Sequence, residues 1–246
     1  MTGASSALRT MNLNTATHVL GIALHSDVVG FTKLSSELNP IDVMDMLNEM
    51  YSAFDALVEK HNLYKVETVG DAYMAVAGIP DSSLSGRVGA ERMAMFALDA
   101  LDACKSIRAK NMALVNIRAG LASGPIVAGA IGNVMPKFSM FGDTVNYAAR
   151  MESMSMTMRI QCSEVTYRML RDSSDRTFNL EKRVDSNGVE GVFAKGKGHV
   201  PTWFINGSRN RRPSDPALGK DAIPEAHPDE TMKPVPSEET WEDLWV

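Results

Sequence analysis

The sequence predicts an α+β fold in which helices pack over a mixed β-sheet. Three observations carry this. Apolar strand-like runs alternate with segments of helical period along most of the chain. Two of those runs, ending in Val66 and Val69 and resuming at Tyr73–Val76, are joined by a tight Gly70–Asp71 turn, the signature of a hairpin. Asn39–Pro40 supplies an N-cap and a first-turn proline, and Val43, Leu47, Met50, Phe54 and Leu57 follow at the three-four spacing of one helix face.

Taken in order, residues 1–17 are small and polar and read as a flexible lead-in. His18–Leu24 is a first apolar strand that runs into Asp27. The helix opened by Asn39 comes next, then the hairpin around Asp71. A second helix is predicted over about residues 88–108, with Met93, Ala97, Leu101 and Cys104 on one stripe; Met93 reads as core filler. The glycine-rich run Val115–Gly132 is predicted to break at Gly124–Pro125 into a second hairpin. Phe138–Phe141 is a short strand, and Gly142–Asp143–Thr144 leads into a helix holding Asn146 and Arg150. Short strands and one more helix finish at Val200–Ile205. The predicted organisation is a folded domain over residues 18–205 and a tail over residues 206–246. That tail holds six of the eleven prolines and little periodicity, which predicts disorder.

With 44% hydrophobic residues in 246, the chain is long enough for one substantial core. The net charge is −5, and nine acidic against five basic residues beyond position 205 account for −4 of it. The body is thus nearly neutral, without the basic face that nucleic-acid binding needs. Cys104 and Cys162 form neither a metal-type spacing nor a disulfide framework, which predicts a reducing compartment. No apolar stretch is long enough to span a bilayer. The expected location is cytoplasmic, or the cytoplasmic face of a membrane if the chain is part of a larger receptor.

The runs HSDVVGFTK (His25–Lys33) and KVETVGDAYM (Lys65–Met74) each place an aspartate, Asp27 and Asp71, where an apolar strand meets a glycine-containing turn. Core packing does not explain an aspartate there. Two on separate strands of one sheet can converge on a hard cation, which takes carboxylate oxygens.

HSDVVGFT, KVETVGDAYM, FGDTVNYAARMES and KGKG, in this order over about His18–Ile205, resemble the catalytic domain of class III nucleotide cyclases, with the greatest likeness to the eukaryotic-type guanylate cyclases. The resemblance implies a ferredoxin-like βαββαβ core with additional strands and helices, and a dimer with active sites between the subunits. It implies attack of the ribose 3′-hydroxyl of GTP on its own α-phosphate, giving 3′,5′-cyclic GMP and pyrophosphate with two magnesium ions, manganese being able to replace them. Asp27 and Asp71 match the metal-binding aspartates, with the Val28 carbonyl completing one shell. Asn146 and Arg150, four residues apart on one helix face, match the pair that orients the ribose and takes charge on the α-phosphate. Lys195, the first lysine of KGKG, matches the contact to the terminal phosphates.

Glu67 and Ser139 match the positions that read the base. Guanine offers two donors on its Watson–Crick edge, which a carboxylate at Glu67 accepts, whereas adenine presents an acceptor there. Ser139 stands where guanylate cyclases often have cysteine, Val134 where a basic residue is common, and His25 where an aromatic residue is usual. His25 reads as a packed histidine, since magnesium prefers oxygen. Two alternatives stand beside the guanylate cyclase reading: an adenylate cyclase with relaxed base reading, and a non-catalytic cyclase-like domain that dimerises with or regulates a partner. A palm-type diguanylate cyclase would need a GG-D/E-E/F turn, which the sequence lacks. The expected partners are GTP and a second cyclase domain, in a homodimer or heterodimer.

Overall fold

A computed structural model of the chain describes residues 17–131, 137–185, 187–194, 196 and 198–210. Its first strand, β1 (Thr17–Val28), is followed by a short helix α1 (Phe31–Glu37) and a long helix α2 (Pro40–Lys60). The hairpin β2 (Tyr64–Val69) and β3 (Ala72–Ala77) leads to helix α3 (Gly86–Cys104) and strand β4 (Ile117–Ile131). Then come β5 (Lys137–Phe141), α4 (Asp143–Ser153), β6 (Ile160–Ser163), α5 (Glu164–Arg171) and β7 (Arg176–Lys182). The small strands β8 (Val192–Ala194) and β9 (Gly198–Val200) precede β10 (Thr202–Asn210).

One sheet runs β2-β3-β1-β4-β6-β10-β7, with β5 also paired to β4. Strands β2, β3, β1 and β4 are antiparallel neighbours, and β4 pairs β6 in parallel, so the sheet is mixed. The order β1-α2-β2-β3-α3-β4, arranged as β2-β3-β1-β4, is the ferredoxin-like core expected from the resemblance.

Both faces of the sheet are covered. Ile22 and Leu24 of β1 and Ala119 and Leu121 of β4 join Met50 and Phe54 of α2 and Met93 and Ala97 of α3 in the larger core. On the opposite face Ala23, Met74, Val76, Ala122 and Ile126 pack with Ala148 of α4. Asn39 caps α2 as predicted, its Oδ1 accepting from the Asp42 N–H at 3.0 Å.

The structure corrects the expected break at Gly124–Pro125. Strand β4 is continuous through fifteen residues, and Pro125 pairs with Leu20 inside the β1–β4 ladder. On the other edge of β4, β6 pairs only through Leu121 and β5 begins at Val127. Pro125 lies in the gap between them, where a missing N–H breaks no ladder bond. Its carbonyl instead accepts from Thr144 Oγ1 at 2.8 Å. The last strand also runs beyond the expected limit at Ile205, to Asn210, where β7 pairs it to the end. The tail from residue 211 and the lead-in through residue 16 lie outside the described residues.

Candidate functional site

The β2–β3 hairpin ends in the predicted Gly70–Asp71 turn, with Gly70 in the left-handed region at φ +60°. The turn is anchored from behind: the Tyr51 hydroxyl of α2 donates to the Gly70 carbonyl at 2.7 Å. Burial and the charges of Asp71 and Asp27 push the Tyr51 hydroxyl up to about 12, so it remains a donor at neutral pH.

Strand β1 brings Asp27 beside this turn. The Val28 N–H donates to Asp71 Oδ2 at 3.3 Å. Asp71 is raised to about 7 by burial first, then by the neighbouring Asp27 carboxyl. Two carboxylates held this close repel each other until a proton or a cation lies between them. Among the described residues no group of three or more His, Cys, Asp or Glu side chains gathers into an all-protein metal cage. Hard carboxylate oxygens are the donors magnesium takes, so the residues fit that ion.

A third charge adjoins the pair. Arg118 of β4, opposite Asp27 in the ladder, donates from Nη2 to Asp27 Oδ2 at 3.0 Å and from Nε to Glu152 Oε1 of α4 at 2.6 Å. Glu152 is pushed up by burial against the pull of Arg118. Tyr51, Arg118 and Glu152 were not among the predicted site residues. The signal for Arg118 is that it is the one charged residue in the run Val115–Gly132.

Helix α4 lies directly on the sheet because β4 is glycine where it crosses. A Cβ on Gly120 would stand 1.9 Å from the Glu152 nitrogen and 2.4 Å from the Ala148 carbonyl, and one on Gly124 would stand 2.6 Å from Thr144 Oγ1. Thr144, Ala148 and Met151 form the buried stripe. Asn146 is therefore turned outward and exposed, with Arg150 half-buried one turn later. The Arg150 guanidinium reaches the KGKG segment, its Nη1 lying 3.9 Å from where a Cβ on Gly196 would stand. Lys195 and Lys197, like Val134, lie outside the described residues.

Glu67 is half-buried on β2 and paired with Met74 of β3. Ser139 is half-buried on β5 and paired with Gly129 of β4. The rings of Tyr64 and Phe138 meet edge-on with centroids 5.8 Å apart, which brings β2 and β5 alongside one another. His25 is on the same face of β1 as Ala23 and Asp27, and burial lowers its basicity. Ahead of KGKG, Asp185 Oδ1 accepts from the N–H groups of Asn187 and Val189, both at 2.8 Å.

Residues 18–207 match the family model described as the adenylate and guanylate cyclase catalytic domain. The chain is 44% identical over 184 residues to retinal guanylyl cyclase 1 of Rattus norvegicus, an alignment covering 74% of this chain and 16% of that protein. It thus spans about a sixth of the relative's length. Among solved structures, it is similar to the guanylate cyclase domain of RhGC from Catenaria anguillulae in complex with GTP. The TM-score is 0.69 at 34% identity, covering 78% of this chain and 100% of the other. A non-canonical dimeric guanylyl cyclase domain of the RhoGC fusion protein from the aquatic fungus Blastocladiella emersonii gives 0.66 at 34% identity, covering 79% and 98%.

Proposed function

The chain belongs to the adenylate and guanylate cyclase catalytic domain family, and on that premise we propose that it converts GTP to 3′,5′-cyclic GMP and pyrophosphate. The observation that carries the reading is the convergence of Asp27 and Asp71, which the fold holds close enough for Asp27 to raise the Asp71 carboxyl. The solved relative in complex with GTP supports the choice of nucleotide.

In this reading Asp27, Asp71 and the Val28 carbonyl hold two magnesium ions, which manganese can replace. When bound, the ions supply the positive charge that eases ionisation of the ribose 3′-hydroxyl and gathers the triphosphate. Arg118 keeps the Asp27 carboxylate oriented and is anchored in turn by Glu152. Asn146 hydrogen-bonds the ribose and keeps its 3′-oxygen aligned with the α-phosphate. Arg150 offers its fork of donors to the charge that grows on the α-phosphate oxygens. Lys195 takes the terminal phosphates; its neighbour Gly196 lies beside Arg150. Glu67 accepts from the N1–H and amino group of guanine, and Ser139 donates to its O6.

The active unit is a dimer, homodimer or cyclase-domain heterodimer. Each site takes Asp27 and Asp71 from one subunit and Glu67, Ser139, Asn146, Arg150 and Lys195 from the other. A solved relative described as a non-canonical dimer supports dimerisation as such. Among the described residues no helix is long and apolar enough to cross a membrane. The domain works on the cytoplasmic side, free or as part of a larger receptor.

A serine at 139 also accepts from the amino group of adenine, which keeps an adenylate cyclase with relaxed base reading as the second reading. Turnover of GTP and ATP side by side, with magnesium and then manganese, tests both. Preferential cyclisation of GTP is expected; equal or better use of ATP would overturn it. No turnover of either nucleotide by a dimer would favour a regulatory domain.

A further inference from the structure

Arg183 follows directly on β7, where the chain leaves the main sheet for segment 184–201 and then returns to it as β10. Its N–H donates to the Thr202 carbonyl at 2.9 Å, and its own carbonyl accepts from the Gly191 N–H at 2.8 Å. The backbone of Arg183 thus fastens the base of that segment. Its side chain reaches α4. Nη1 donates to the carbonyl of Met154, which caps the end of α4, and to Oε1 of the fully buried Gln161 on β6. The guanidinium lies over the Phe204 ring, 5.5 Å from its centroid. These partners are neutral. Burial disfavours the charge of the half-buried guanidinium, and the carbonyl end of α4, where the helix dipole is negative, offsets that cost.

Segment 184–201 meets α4 a second time. Strands β8 and β9 pair as a hairpin, Val192 with Val200 and Ala194 with Gly198, and Gly196 lies between them at φ +81°. A Cβ on Gly196 would stand 3.9 Å from Arg150 Nη1. The hairpin is tightly seated at its foot, since a Cβ on Gly191 would lie 2.0 Å from the Val200 carbonyl oxygen. Arg150 and Met154 belong to one helical turn, the Met154 N–H donating to the Arg150 carbonyl at 3.1 Å. That turn is therefore gripped by Arg183 at its end and touched by the Gly196 tip at its start. Arg118 of β4 holds it as well, through Glu152 at 2.6 Å.

We infer that Arg183 is a positioning residue for the phosphate end of the site: by fastening the last turn of α4 to the base of segment 184–201, it sets Arg150 at a fixed separation from the Gly196 tip. This rests on the reading of Arg150 as a phosphate contact. Donors on two elements that move independently cannot keep the spacing that the oxygens of one phosphate chain require, and small misplacements are costly in rate. The base readers Glu67 and Ser139 stand on β2 and β5, which Arg183 does not touch, so the role is confined to the phosphates.

The test compares full-length Arg183→Met, Arg183→Gln and Arg183→Lys with wild type, with thermal melts to establish which variants fold. Three quantities are read: kcat for GTP, the inhibition constant of inorganic pyrophosphate, and the ratio of kcat/KM for GTP over ATP. Met removes the donors, and Gln carries its amide on a side chain too short to span to α4. Each should lower kcat about tenfold and weaken pyrophosphate inhibition about tenfold, the loss of one charge-assisted hydrogen bond. The GTP/ATP ratio should stay within about threefold of wild type, whereas a general loosening of the domain would move it too. Lys brings a rotatable ammonium to the same two oxygens and should hold kcat and pyrophosphate inhibition within about threefold of wild type. A folded Met or Gln variant with both quantities unchanged overturns the inference. So does a GTP/ATP ratio that falls in step with kcat, a Lys variant as impaired as Met, or failure of all three variants to fold. A wild-type protein that makes no cyclic GMP from GTP would sink the functional reading itself, and this inference with it.

Discussion

At Asp71 the fold holds a carboxylate whose surroundings disfavour its charge. Its folded-state pKa lies near 7 against an ordinary 3.8, so the metal-free protein gives up stability as the group ionises. The sign follows from proton linkage: the folded state binds the extra proton between those two values, so unfolding becomes easier as pH rises through that window. Below pH 4 the effect vanishes. Asp71→Asn should therefore melt higher than wild type at pH 8 in a chelator, with the gap closing toward pH 4; a pH-independent gap would contradict the assignment. Activity should move the other way. Loss of a partner that merely supports a ligand costs about 10–100-fold, so loss of the ligand itself in Asp27→Ala or Asp71→Ala should cost more, without loss of fold. Near-normal turnover by either variant at ordinary magnesium would remove them from the metal site. Base reading is separable from both. Glu67→Lys with Ser139→Asp reverses the polarity of the two groups and should move preference toward ATP, measured as kcat/KM for each nucleotide.

At the level of elements, helix α4 shows what the sequence carried and what it hid. Its start at Gly142–Asp143 and the one-turn spacing of Asn146 and Arg150 were legible, as were the capped start of α2 and the turn at Asp71. The bed on which α4 lies was not. Gly124 looks like a turn residue in a linear reading, yet the Thr144 side chain of α4 fills the space of its Cβ, as the α4 backbone does at Gly120. Nothing local in a sequence separates those two causes, since the second depends on a segment about thirty residues away. Helix α1 escaped for a related reason: it has seven residues, and its apolar side is only Phe31 and Leu34, half-buried against the core, too short a stripe to stand out. Arg118 and Glu152 meet only because β4 and α4 stack, so their link to Asp27 is tertiary information. The glycine bed makes its own prediction. Gly120→Ala puts a methyl within 1.9 Å of the Glu152 nitrogen. Overpacking of that kind costs about 1–3 kcal/mol, and α4 has to lift to relieve it. Both melting temperature and turnover should fall, whereas Gly207, half-buried but with open space where a Cβ would stand, should accept alanine with activity unchanged. Equal tolerance at both positions would argue against a fixed seat for α4.

For the molecule as a whole, the proposed function divides one chain into two half-sites: the paired aspartates with their arginine, and the outward side of α4 with the strands of Glu67 and Ser139. On that proposal a site is complete only in a dimer. If association is weak, specific activity should rise with protein concentration and level off as the dimer saturates. The decisive measurement is complementation between two disabled chains. Asp71→Ala and Arg150→Ala should each be nearly inactive alone, because each damages both sites of its own homodimer. Mixed in equal amounts with free exchange, half the dimers are heterodimers, and each of these has one intact site and one carrying both lesions. Cyclic GMP production should then recover to about a quarter of the wild-type rate, the value set by counting sites in a closed two-fold dimer. No recovery despite demonstrated subunit exchange would contradict a site shared between two chains.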